Sequence, residues 1–125
     1  VRIIRGTHGG RRINPPPGLP VRPTTDLAKE SLFNILDNHL YFEDLRVLDL
    51  YAGTGSISYE FASRESRLVY AVDINPRCIS FISETAGKLG FSQLRAIRSS
   101  SLGYLGHCKE QFDLIFADPP YDLKG

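Results

Sequence analysis

The sequence predicts an α/β chain built on a parallel sheet flanked by helices. Three observations predict it. From Arg46 onward, short strand-forming runs alternate with helical patterns; a glycine turn, "YAGTG", follows the first run; and the last run, "FDLIFA", leads straight into Asp118-Pro119-Pro120-Tyr121. Strands alternating with helices imply right-handed βαβ units and a sheet covered on both faces.

The elements follow in order. "VRIIRGTHGGRRIN" carries β-prone pieces over residues 2–5 and 11–14 around His8-Gly9-Gly10, which predicts a hairpin. A proline-rich connector runs from Pro15 to Pro23. Thr24, Thr25 and Asp26 offer an N-cap to the helix "LAKESLFNILDNHL", whose apolar face is expected to hold Ala28, Leu32, Ile35, Leu36 and Leu40. "RVLDLY" reads as a buried strand, "SISYEFASR" as a helix burying Ile57 and Phe61, and "RLVYAVD" as a second buried strand. Asn75 caps a helix with Pro76 at its first position, burying Ile79, Ile82, Ala86 and Leu89, and Gly90 stops it. "QLRAIR" is a third strand, "SSSLGYLGHC" a short helix and "FDLIFA" a fourth, buried strand. A fourth strand this near the last residue predicts the first part of a larger domain. The expected division is a basic hairpin arm and connector over 1–24 and a partial cofactor-binding domain over 25–125.

Composition excludes several classes. With 42% hydrophobic and 23% charged residues the chain suits one folded domain and not a disordered segment. No apolar run approaches the ~20 residues of a membrane span, and no secretory signal opens the sequence. Cys78 and Cys108 lack metal-ligand spacing and His8, His39 and His107 are scattered, so neither a metal site nor a catalytic triad is expected; reduced thiols fit a cytoplasmic protein. The formal net charge of +1 hides an asymmetry. Residues 1–25 hold five of the fifteen basic residues (Arg2, Arg5, Arg11, Arg12, Arg22) and none of the fourteen acidic ones. A basic arm on a mildly acidic body suits a polyanionic partner, or is simply a solvated surface arm.

In "VLDLYAGTGSIS", Gly53 and Gly55 clear the side chains from a turn whose N–H groups must approach a ligand, at a helix N-terminus that favours negative charge. No Lys-Ser/Thr follows, which excludes a phosphate-binding Walker loop, and the third glycine of a dinucleotide fingerprint falls on Ser58. Asp73 ends the next strand twenty residues after Gly53, where a carboxylate can accept both hydroxyls of a ribose. Asp49, four residues before Gly53, suits a ligand with an ammonium group and no pyrophosphate; the alternative is that it only satisfies N–H groups of the turn.

Ligands of such sheets bind beyond the carboxyl ends of the strands, so Asp118-Pro119-Pro120-Tyr121 should face the same cleft. The Tyr121 ring can stack on a planar base, while the Asp118 carboxylate and the Pro119 carbonyl accept from an –NH2 group and Pro120 stiffens the corner. An exocyclic amine is a poor nucleophile because its lone pair is delocalised. Two acceptors on its hydrogens favour a more tetrahedral nitrogen, and such positioning supplies up to roughly 7–11 kcal/mol in the best-oriented cases.

"RIIRGTHGGRRI", "RPTTDLAKESLFNIL", "VLDLYAGTGSIS" and "FDLIFADPPY" together closely resemble the RsmD-type family of small-subunit ribosomal RNA guanine-N2 methyltransferases, over essentially the whole chain from Arg2 to Tyr121. The resemblance implies a Rossmann-like class I methyltransferase fold that binds S-adenosyl-L-methionine across the strand ends. It further implies that Asp49, Tyr51, Gly53 and Gly55 line the methionine side, Asp73 binds ribose and Ile74 flanks the adenine. Arg22 and Thr24 would lie near the cofactor cleft, Asp118 to Tyr121 would hold the target guanine amine, and Arg2, Arg5, Arg11 and Arg12 would grip RNA. Tyr51 stands where a Phe is usual, and Ser100 where relatives commonly carry Asp or Asn, which weakens the expected adenine contact there. The partner implied is small-subunit ribosomal RNA or its assembly particle, with no membrane, and the full-length protein is expected to be a monomer. Rival readings are a DNA adenine-N6 or cytosine-N4 methyltransferase, which shares the acid–diproline–tyrosine corner; a nicotinamide-dependent oxidoreductase, disfavoured by Ser58; and a catalytically silent RNA-binding fragment.

Overall fold

The computed structural model describes residues 1–19 and 24–119. Four strands, β1 (Arg46–Leu50), β2 (Leu68–Asp73), β3 (Leu94–Arg98) and β4 (Leu114–Ala117), form one sheet in the order β3-β2-β1-β4. All three pairings are parallel, with Leu48 opposite both Tyr70 and Ile115. The helices are α1 (Asp26–Asp37), α2 (Ser56–Ser63), α3 (Pro76–Leu89) and α4 (Ser101–His107). Parallel pairing forces each connection to cross a face of the sheet, and the two faces carry separate apolar clusters. One gathers Val47, Val69 and Ala71 with Phe33 of α1, Phe61 of α2 and Ile82 of α3. The other centres on Leu48, Leu50 and Val72, with Tyr104 of α4 packed against it.

The caps explain where the helices start and stop. Thr25 Oγ1 accepts the Ala28 N–H at 3.1 Å ahead of α1. Asn75 Oδ1 accepts from Arg77 and Cys78 at 2.8 and 3.2 Å, with Pro76 opening α3 and Gly90 closing it at φ 73°. The hairpin forms as predicted. Arg2 bridges Arg12 antiparallel, and Gly10 N–H donates to the Ile3 carbonyl at 2.7 Å. It is also docked: Ile3 and Ile13 belong to the same core cluster as Phe33 and Phe61.

Four expectations need correction. On α1 the buried residues are Lys29 and Phe33, whereas Ala28 and Ile35 are exposed. The helix turns Lys29 inward because a carboxylate and a carbonyl wait there, as described below. On α3 the fully buried set is Cys78, Ile82, Thr85 and Ala86; Ile79 and Leu89 are only partly covered. The first strand ends at Leu50, and Tyr51 already lies in the left-handed region at φ 58°. β4 is not the buried strand expected: among the described residues it pairs only with β1, and Ile115 is 53% exposed. α2 departs the other way. Every one of its eight residues is buried, since hairpin, α1, α3 and sheet all press on it.

Candidate active site

Because the strands are parallel, their carboxyl ends share one edge of the sheet, and the turns that follow them meet there. After β1 the chain bends at Tyr51, and Ala52 N–H donates to the Val72 carbonyl at 3.0 Å. Gly53 and Gly55 have φ of 60° and 88°, the region only glycine enters freely. The Asp73 carboxylate sets the shape of this turn. One oxygen accepts the Gly53 N–H and the other the Asn75 N–H, both at 2.9 Å. Asp73 thus joins the turn after β1 to the turn after β2, and a carboxylate with roughly four acceptor sites keeps capacity for ligand hydroxyls.

Asp49 is 2% exposed and accepts the Ser58 hydroxyl at 2.7 Å. Burial is the main reason its pKa rises from 3.8 to about 7; the Ser58 contacts oppose the rise, and the Asp73 and Asp118 charges add to it. Ser58, read from the sequence only as a failed third glycine, is the partner that holds this carboxylate. Ile74 projects from the end of β2 at 66% exposure, and Arg98 Nε donates to its carbonyl at 3.3 Å. At the end of β3, Ser100 Oγ caps α4 by accepting the Gly103 N–H at 3.0 Å. Asp118 and Pro119 are exposed and directly follow Ala117, whose partner on β1 is Leu50, one residue before Tyr51.

Asp49, Tyr51, Gly53, Gly55, Asp73, Ile74, Ser100, Asp118 and Pro119 are therefore brought to one edge of the sheet. Thr24 is half-buried just ahead of α1, and the connector is held to α3, where Arg77 donates to the Gly18 carbonyl at 3.2 Å. Arg22, Pro120 and Tyr121 lie outside the described residues. The four hairpin arginines form a separate group. Arg2 and Arg5 face Asp26 and Asp37 at 3.4 and 3.7 Å in partly exposed pairs, while Arg11 and Arg12 are exposed. Sequence reasoning missed Ser58 in the site and, beyond it, the buried Lys29, Ser56 and Glu60. Lys29 and Phe33, spaced i,i+4 beside the expected apolar face, were the one available signal.

A parallel sheet with flanking helices, a glycine turn braced by the acid of the second strand, and a further acid after the strand next to the first define a chain of the Rossmann-like class I methyltransferase fold. Solved structures agree. A hypothetical protein of Thermus thermophilus matches with a TM-score of 0.86 and 27% identity, covering 98% of this chain and 71% of that one. The precorrin-6y C5,15-methyltransferase of Geobacter metallireducens matches with a TM-score of 0.65 over 82% of this chain and 51% of that one, at an identity of 20% that speaks for the fold alone. The chain belongs to the family described as "Conserved hypothetical protein 95", whose model matches residues 1–125, and the RsmD-type resemblance read from the sequence stands. Among curated relatives, the Ribosomal RNA small subunit methyltransferase D of Haemophilus influenzae is 34% identical over 97% of this chain and 64% of its own length. The chain spans about three fifths of the length of curated relatives of this name that it matches.

Proposed function

We propose that this chain carries the cofactor site and part of the base pocket of an enzyme that methylates the exocyclic N2 amine of a guanine in small-subunit ribosomal RNA. The observation that carries the reading is the parallel register: Leu50 pairs with both Ala117 and Val72, so Asp118 and Asp73 each begin where the Tyr51–Gly55 turn leaves the sheet. The residues suit S-adenosylmethionine. Asp73 has acceptors left for a ribose, exposed Ile74 offers an apolar surface to an adenine, and Asp49 offers a buried carboxyl that an ammonium beside it would draw into its charged form. That cofactor, when bound, supplies an electrophilic methyl group on a sulfonium. The protein's part is to orient the amine. The Asp118 carboxylate and the Pro119 carbonyl accept its two hydrogens and Tyr121 stacks on the base, which must first leave its stack. Residues 1–24 act as an arm on RNA phosphates and 25–125 as the cofactor-binding part.

Replacing Asp118 by Ala in the full-length protein tests this. Transfer of labelled methyl groups to small-subunit RNA or its assembly particle should fall at least about a hundredfold if the carboxylate fixes the amine, with S-adenosylhomocysteine affinity retained. Digestion of the wild-type product should give N2-methylguanosine. Near wild-type transfer by the variant would refute the role of Asp118, and labelling of duplex DNA in place of RNA would refute the substrate.

A further inference from the structure

The side chains of Lys29 and Glu60 are wholly inaccessible to solvent and lie 3.4 Å apart. Neither belongs to the site described above. Their bonds nevertheless reach it. The Lys29 ammonium donates to the Arg2 carbonyl of the hairpin at 2.9 Å and to the hydroxyl of Ser56 at 3.1 Å. Ser56 is the first residue of α2 and directly follows Gly55. Glu60, one turn further along α2, accepts the N–H groups of Ile4 and Arg5 at 2.8 and 3.1 Å and the Arg64 guanidinium at 2.9 Å. Hairpin, α1 and the start of α2 therefore share one desolvated cation. Burial lowers the Lys29 pKa and Glu60 opposes the drop. A buried charge is kept only where geometry supplies its partners, and here the partners sit on the hairpin and on α2, while the cation comes from α1.

We propose that Lys29 is a positioning residue for the glycine turn: its ammonium holds Ser56 against the Arg2 carbonyl, so seating of the hairpin sets the turn's affinity for its nucleoside ligand. The ligand half of this statement rests on the function proposed above; the positional half does not. Lys29→Met is the informative variant, because Glu60 keeps Arg64 and two backbone N–H donors and is not left as an unpaired buried charge. Ser56→Ala removes one bond of the set and leaves the ion pair intact.

The test is amide hydrogen exchange on the unliganded proteins, joined to calorimetric titration with S-adenosylhomocysteine at a temperature where circular dichroism shows parent and variants folded. The Gly53 and Gly55 amides, bonded to Asp73 and to the Ala52 carbonyl, are the reporters. In both variants they should exchange about tenfold faster while Ile82 and Ala86 of α3 keep their protection, and affinity should fall about tenfold. Uniform acceleration through α3 and the sheet would reduce Lys29 to a stabilising residue and overturn the proposal, as would unchanged exchange at the turn. If Lys29→Met does not fold, Ser56→Ala decides by the same criteria. Should the parent bind no S-adenosylhomocysteine, the proposed function fails, and the exchange data still decide whether Lys29 positions the turn.

Discussion

A Cβ on Gly55 would stand 2.7 Å from Tyr59 Cζ, 2.9 Å from its hydroxyl oxygen and 3.0 Å from Ile82 Cγ1. Tyr59 cannot swing aside, because it is fully buried in the core shared by α2, α3 and the sheet. The clash adds to the strain of a side chain at φ 88°, so Gly55→Ala should cost on the order of 3 kcal/mol. Urea unfolding will measure that cost, and the variant should bind S-adenosylhomocysteine weakly or not at all. Asp49 yields a prediction in pH. Its carboxyl titrates near its ordinary 3.8 when unfolded and at about 7 when folded, so the folded state holds the extra proton in between. Its contribution to stability is greatest below pH 4 and is lost as pH rises through 7. Asp49→Asn keeps an acceptor for the Ser58 hydroxyl and removes the titration. The variant should therefore gain on its parent from pH 4 to pH 7 and then level off, by at most about 4 kcal/mol. Thermal denaturation across that range checks the slope; a constant difference between the two proteins would mean Asp49 is charged throughout.

Helix α2 ends in a Schellman arrangement, with Ser66 N–H donating to the Phe61 carbonyl and Glu65 N–H to the Ala62 carbonyl, both at 3.0 Å. That motif wants glycine at its left-handed position, yet Glu65 stands there at φ 67°, exposed. Glu65→Gly should raise stability by about 0.5–1 kcal/mol, the relieved strain being partly offset by the freer unfolded chain. Chemical denaturation measures this directly, and a loss would show that the Glu65 side chain contributes more than its backbone costs. The elements legible in the sequence were those whose signal is local. Asn75, Pro76 and Gly90 bracket α3 by capping chemistry alone, and the strand runs need only their apolar content. What stayed hidden depends on partners distant in sequence. Lys29 is buried because Arg2, Ser56 and Glu60 surround it. Tyr51 takes a left-handed backbone where β1 breaks into the glycine turn, and β4 reads as a core strand but has β1 as its sole neighbour among the described residues. In the site, the two glycines and Asp73 were readable from spacing, whereas the Ser58 grip on Asp49 required the fold to bring a strand against a helix.

On the function proposed above, charge and packing divide the hairpin between two tasks. Its inward residues, Ile3 and Ile13, complete the core, and its backbone is fixed to α2 through Glu60 and through Ser63, whose carbonyl accepts the Thr7 N–H at 2.7 Å. Its four arginines lie on a chain that otherwise carries eleven basic and fourteen acidic residues, and the acids nearest them already engage two: Asp26 faces Arg2 and Asp37 faces Arg5. Such exposed pairs are weak and compete with any phosphate. Arg11 and Arg12 are exposed and have no acid partner among the described residues, so they are the cations an RNA backbone would meet at least cost. Each phosphate contact adds roughly 0.7–0.9 to the slope of log affinity against log salt. The double variant Arg11→Ala, Arg12→Ala should therefore lower that slope by about 1.5 for small-subunit RNA. Its S-adenosylhomocysteine affinity should not change, because neither side chain lies at the strand ends. Changing Arg2 and Arg5 in the same way should lower the slope less, since each first has to leave a carboxylate. Filter binding from low to high salt distinguishes the two pairs. Equal losses would mean that the acids of α1 do not compete for the arm, and no loss from either pair would place the RNA on another surface.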